Sequence, residues 1–315
     1  MKRTKRFYLT LAAVSLLAVV CALGAGVVLL KAKSLYDRLS RKMDYISNEV
    51  YSIREDTDAI QFAMNQEYGH YDFDYSWTKD KRMIAHAFGG IDGLTYTNSY
   101  EAFAHNYALG HRVFEVDFGL SASGGPLICL HDDQMWREQA GIDEQTPCTH
   151  EVFMNSRIHG KYTPLDFDAV VDILMEYPDV YIVTDTKNLD QRSVMFQFAQ
   201  MVYAASSRDE SVLSRIIPQI YHEKMLEWIM AVYPFESVIY TLYATEWTSE
   251  SVVDFCRRSG VGMVTMWEAL AKADVVSALK QEDIIVAVHT VNDPAVAQAC
   301  VERNVDMVYT DFLTP

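Results

Sequence analysis

FEVDFGLSASGGPLICLHDD, residues 114–133, is the stretch on which the reading of this 315-residue chain turns. Glu115 and Asp117 lie two apart near the end of one apolar run. A second run, from Pro126 to Leu130, ends in His131 and Asp132. Residues two apart on a strand face the same way, so both carboxylates leave the strand on one side. Folding alone asks for apolar interiors. Charges gathered where strands end are the arrangement of a parallel barrel, whose working residues sit at the C-terminal face.

Outward from this stretch, strand-like and helix-like runs alternate to the end of the chain. The strand candidates are MIAHA, RVFEVD, PLICL, VYIVTD, RIIPQIY, SVIYTLY, VGMVTM, IIVAVHTV and MVYT. Helical patterns such as 167–176, 193–205, 223–232 and 293–303 separate them. Alternation of this kind predicts an α/β fold with a parallel sheet closed as a (β/α)₈ TIM-type barrel over residues 82–315. Nine candidates compete for eight places, so at least one lies outside the barrel. Residues 66–81 lose all period and read as a connector.

The N-terminus has a different character. Residues 7–30 run for 24 positions without a charge, roughly 36 Å as a helix and long enough to cross a bilayer. Residues 1–30 are therefore expected to be a transmembrane anchor, with a single-pass membrane localisation and an extracytoplasmic body. Residues 31–65 are expected to form a helical stalk. Within it Tyr36, Leu39, Met43, Ile46, Val50, Ile53, Thr57 and Ile60 alternate in steps of three and four. That pattern fits either a short parallel coiled coil, making a homodimer through residues 36–60, or an amphipathic helix lying on its own domain.

The formal net charge of −16 hides a split, with nine basic and one acidic residue in 1–42 and 18 basic against 42 acidic beyond. So acidic a body repels polyanions and excludes nucleic acid as a partner. Cys129, Cys148, Cys256 and Cys300 show no metal spacing and read as buried small hydrophobes.

The chemistry-bearing residues fall at strand ends. His86 closes the first run, Glu115 and Asp117 the second, and His131 the third. Asp185 and Lys187 end the next; Gln219 and Tyr221 end IIPQIY; His289 and Asn292 close VAVHTVN. Three hard oxygen ligands around a cavity suit one divalent cation, Mg²⁺ or Ca²⁺, rather than zinc. Two histidines across a site supply a general base and a general acid.

This layout resembles the glycerophosphodiester phosphodiesterases, within the wider superfamily of phosphatidylinositol-specific phospholipase C. The matching segments are HAFGG (86–90), TNSYEAF (97–103), residues 114–133, TDTKN (184–188), HTVND (289–293) and VDMVYTD (305–311). The resemblance implies a metal held by Glu115, Asp117 and Asp185, a phosphate neutralised by Lys187, and proton exchange through His86 and His131. Gln219, Tyr221, His289 and Asn292 would line the substrate pocket. It further implies a metal-dependent phosphodiesterase that hydrolyses a glycerophosphodiester from a lipid head group or envelope polymer, which the N-terminal run of 7–30 would hold at a membrane.

Three departures cluster on the same site. Ala87 stands where the family has arginine, Asp185 where it has glutamate, and His289 where it has tryptophan. They raise a second reading, a non-catalytic phosphate- or metal-binding module, favoured by Ala87. Arg137 and Lys161, in the long connection 133–162, are candidates to replace the missing charge.

Overall fold

The computed structural model describes residues 69–122 and 124–315. Eight parallel strands form the barrel: β1 (Met83–Ala85), β2 (Val113–Leu120), β4 (Tyr181–Asp185), β5 (Ile216–Ile220), β6 (Ile239–Thr241), β7 (Met263–Trp267), β8 (Ile285–His289) and β9 (Met307–Thr310). Each pairs in parallel with its neighbours, and Ala85 against Phe114 closes the circle. The surplus candidate is β3 (Leu127–Cys129). It pairs antiparallel with the far end of β2, Phe118 opposite Cys129, and lies outside the barrel. His131 therefore does not end a barrel strand. β2 overshoots the rim, turns, and β3 brings His131 back down to the mouth.

Side-chain alternation separates two cores. One residue from each barrel strand, Ile84, Val113, Val183, Ile217, Ile239, Met263, Ala287 and Met307, fills the interior. Their neighbours, such as Phe114, Ile182, Ile216, Val264, Val286 and Val308, face the surrounding helices. The period of two then dictates what lies above the interior layer. It carries Val113 to Glu115 and Asp117, Val183 to Asp185, Ile84 to His86, and Ala287 to His289. Trp77 enters the interior layer from before β1, with its Nε1 donating to Ser237 at 3.0 Å.

The helices obey local signals. Asp166, Asp190 and Asp293 accept amide hydrogen bonds at the starts of α4 (Phe167–Glu176), α5 (Gln191–Ser206) and α9 (Pro294–Glu302). The connection 133–162 folds into α2 (Asp133–Ala140) and α3 (His150–Asn155) over a small core of Ile128, Leu130, Trp136, Phe153 and Tyr162.

One expectation is corrected. No helix among the described residues is long and apolar enough to cross a membrane, so the single-pass localisation has no support there. The longest, α5, has 16 residues. The segments on which the anchor, stalk and dimer expectations rest, 1–30 and 31–65, lie outside the described residues. The four described cysteines are free and buried, as expected of small hydrophobes.

Candidate active site

The first element of the site is the turn after β1. His86, Ala87 and Phe88 form a single 3₁₀ turn in which Ala87 and Phe88 adopt φ of 51° and 65°, followed by Gly89 at 85°. A Cβ at Gly89 would lie 2.3 Å from the Asn106 side chain. Glycine is required there because Asn106 donates to the carbonyls of Phe88 and Gly90, at 3.1 Å each. Phe88 points away from the mouth into the outer core, against Phe103 and Phe114. It does not block the histidines.

β2 and β4 bring the carboxylates together. Ligand oxygens of Glu115, Asp117 and Asp185, all buried, lie within 4.8 Å of one another. Glu115 accepts from the Ala87 amide at 2.9 Å through Oε2, while its buried Oε1 has no partner among the described residues. Asn98 clasps Asp117 twice, its Nδ2 donating to Oδ2 at 2.9 Å and its Oδ1 accepting the Asp117 amide at 3.2 Å. Lys187 adopts φ of 58°, and its ammonium lies 2.9 Å from Asp117 and in contact with Asp185. The Tyr221 hydroxyl donates to Asp185 and accepts the amides of Thr186 and Lys187, at 2.9 and 3.3 Å.

Such crowding has electrostatic consequences. Burial, then the charge of Asp117, pushes the Glu115 carboxyl up to about 8. Asp117 remains below its ordinary value: burial opposes the charge, but Lys187 and the histidines outweigh it. An unpartnered buried carboxylate oxygen beside two more carboxylates fits a hard divalent cation, since nothing among the described residues satisfies that oxygen.

Each histidine is backed by a carboxylate on Nδ1. His86 meets Asp311 at 2.8 Å and His131 meets Asp132 at 2.7 Å. Burial disfavours charge on His86, yet the Asp311 hydrogen bond and the charges of Glu115, Asp117 and Asp311 prevail and raise it to about 9. Asn292 donates to Asp311 at 2.7 Å and accepts its amide at 2.8 Å. Between the two imidazoles stands Tyr96, edge-on to His86 at 4.7 Å and to His131 at 4.9 Å between ring centroids.

The opposite wall is aromatic. Trp267, 51% exposed, lies beside His289 across the β7–β8 pair, with ring centroids 4.6 Å apart, and Tyr243 stands 6.0 Å from His289. Burial, then the nearby charges of His86 and Lys187, lowers His289 to about 4, so it is neutral at pH 7.

Family membership follows from the sequence. A family model described as glycerophosphoryl diester phosphodiesterase matches residues 90–314. The chain belongs to the glycerophosphoryl diester phosphodiesterase family. Its members are phosphoric diester hydrolases, and this chain is an enzyme of that type. The match begins just after the turn that carries His86 and Ala87.

Solved structures share the fold. A glycerophosphodiester phosphodiesterase from Parabacteroides distasonis is 17% identical, with 73% of this chain and 92% of that one covered at a TM-score of 0.58. An Oleispira antarctica phosphodiesterase in complex with sn-glycerol-3-phosphate is 16% identical over 73% and 92%, also at 0.58. The Thermotoga maritima glycerophosphodiester phosphodiesterase is 18% identical over 73% and 93%, at 0.53. No curated protein matches the chain.

The structure gathers His86, Glu115, Asp117, His131, Asp185, Lys187 and His289 at one mouth, and it sets three other expected pocket residues against neighbouring groups of the chain. Gln219 is buried, bonded to Thr184 and Tyr309. Tyr221 serves Asp185, and Asn292 serves Asp311. Arg137 is tied to the carbonyls of Asp143 and Thr146, and Lys161 to Asp92, so neither replaces the arginine lost at position 87. Asn98, in TNSYEAF, and Asp311, in VDMVYTD, join the site as supports that strand-end position does not mark. Trp267 and Tyr96 join it from outside the expected set. Trp267 directly follows the VGMVTM run, and its alternation with Met263 and Thr265 was the available signal.

Proposed function

We propose that this enzyme hydrolyses a glycerophosphodiester to a phosphomonoester and an alcohol at the mouth of the barrel. The observation that carries the reading is the buried triad of Glu115, Asp117 and Asp185, with a free Glu115 oxygen, set beside Lys187 and two carboxylate-backed histidines. In this reading Glu115, Asp117 and Asp185 hold one divalent cation, Mg²⁺ or Ca²⁺. Once bound, it supplies Lewis-acid stabilisation of the charge that grows on phosphorus-bound oxygen.

The remaining work belongs to the chain. Lys187 neutralises a second phosphate oxygen, the more necessary because Ala87 offers only its backbone amide, which is engaged with Glu115. Asp311 and Asp132 hold Nδ1 of His86 and His131, fixing each tautomer and leaving Nε2 for the substrate. A glycerol hydroxyl loses its proton to one imidazole as its oxygen attacks phosphorus. The departing alkoxide takes a proton from the other, and a cyclic phosphate results. Water opens that ring with the two roles exchanged. The head group lies against Trp267, which supplies from β7 the aromatic wall that His289 no longer provides from β8.

The test is ³¹P NMR of the full chain with a panel of glycerophosphodiesters and added Mg²⁺ or Ca²⁺. The reading expects a phosphomonoester, preceded by a transient cyclic phosphate, and loss of both in Glu115→Gln. Direct formation of inorganic phosphate would contradict it.

A further inference from the structure

We propose that Tyr96 is a positioning residue that locks the two histidines of the site into one unit, through its ring rather than its hydroxyl. The inference rests on the reading of His86 and His131 as the proton-transfer pair. Its starting point is geometric. The Tyr96 ring meets both imidazoles nearly at right angles, with interplanar angles of 81° to His86 and 76° to His131. Perpendicular packing is a preferred arrangement of aromatic pairs and resists rotation of either ring.

Among the described residues, no other ring packs against both histidines. His86 stands on the turn after β1 and is anchored to Asp311 at the end of β9. His131 follows β3, outside the barrel, and its carboxylate partner Asp132 caps α2. Proton transfer in opposite directions across one phosphorus needs both nitrogens placed together, and these two come from separately anchored segments. Tyr96 spans the gap between them.

The backbone around Tyr96 is arranged for this purpose at a cost. Tyr96 and Asn98 have φ of 55° and 44°, conformations that residues with a Cβ rarely adopt. Both ends of the strained segment are held. The Tyr96 carbonyl accepts from Gln139 of α2 at 3.3 Å, and Asn98 is clasped by Asp117 of β2. The same tyrosine thus joins the helical insertion, which carries His131, to the barrel, which carries His86. Burial, then the charges of Asp117 and Asp311, pushes the phenol up to about 12. It stays neutral at working pH and adds no charge to the site.

The experiment compares wild type, Tyr96→Phe and Tyr96→Leu in two readouts on the full chain. The first is the ¹H–¹³C spectrum of the histidine rings, assigned with His86→Gln and His131→Gln. Tyr96→Leu should shift the signals of both His86 and His131 and leave His150 unmoved, whereas Tyr96→Phe should leave both close to wild type. The second is steady-state hydrolysis. Misplacing a reacting group by about 1 Å costs on the order of 100-fold. Tyr96→Leu should therefore lower kcat by about 10- to 100-fold with KM little changed, and Tyr96→Phe should restore kcat to within about threefold of wild type.

Signals of only one histidine moving, or of neither, overturn the proposal. So does a Phe variant as impaired as the Leu variant, which would assign the role to the hydroxyl, or a Leu variant faster than wild type, which would make Tyr96 a plug. If wild type turns over no diester, the reading of the histidines fails, and the ring spectra still decide whether Tyr96 couples them. Thermal melts of the three proteins separate loss of fold from loss of position.

Discussion

Replacing Asp311 by asparagine isolates the link between the carboxylate behind His86 and the charge of the imidazole. Asp311 Oδ1 lies 2.8 Å from Nδ1, and both groups are nearly buried. A hydrogen bond to a charged group is worth about 1.5–3 kcal/mol, equivalent to roughly 1–2 pKa units. In the metal-free protein His86, raised by Asp311 and the nearby carboxylates against the effect of burial, should titrate at about 9. In Asp311→Asn it should therefore titrate at roughly 7–8, by the same conversion. The sign for stability follows. A histidine whose folded pKa exceeds its unfolded value of 6.5 stabilises the fold fully below pH 6.5 and loses that contribution as pH rises through about 9. For wild type the loss is about 3 kcal/mol, and for the variant roughly half of it or less. Asn292 keeps an oxygen acceptor in the new side chain, so the β9 end should hold. The assay is NMR titration of the His86 ring in EDTA-treated protein, with urea unfolding at pH 6 and pH 9. A wild-type value near 6.5, or no difference between the two proteins, would refute the reasoning.

Other outcomes follow from the same geometry. Because Glu115 is protonated below about 8, Mg²⁺ or Ca²⁺ binding at pH 7 should release close to one proton, and affinity should rise about tenfold per pH unit below 8. Calorimetry in buffers of different ionisation enthalpy measures this. Tyr221→Phe removes the hydroxyl that donates to Asp185 and accepts two amides, so cation affinity should fall about 10- to 100-fold. Phe88→Ala empties a fully buried position and should cost about 3–5 kcal/mol in urea unfolding, because Phe88 is core and not a pocket residue. Trp267→Ala should raise KM more than it lowers kcat, as removal of a wall that contacts the head group in ground and transition states alike.

The parts of this account legible in the sequence are those governed by period. Alternation of two carried Glu115 and Asp117 to one face, and alternation of strand and helix implied a closed parallel sheet. The surplus ninth strand was visible as a count, but its identity was not. Nothing local to PLICL distinguishes a barrel strand from one that pairs backwards on an overshooting β2. Polar residues that serve other polar residues were the weakest point. Asn292 and Tyr221 sit at strand ends like ligands, yet they bond to Asp311 and Asp185, and only three-dimensional contact reveals this. Tyr96 illustrates the same limit. Its partners lie 10 and 35 positions away, on segments that meet only when the barrel and its insertion are assembled. The N-terminal hydropathy signal falls on residues 1–30, and no helix described by the structure repeats it.

The central claim is that the three carboxylates hold a cation on which hydrolysis depends. The most direct measurement strips the protein with EDTA, then titrates Mg²⁺ or Ca²⁺ while following binding stoichiometry and glycerophosphodiester turnover together. No turnover without a cation, one ion bound per chain, and activity rising in step with occupancy are the expected results. Turnover unaffected by EDTA, or one ion bound with no hydrolysis of any diester tested, would contradict the claim.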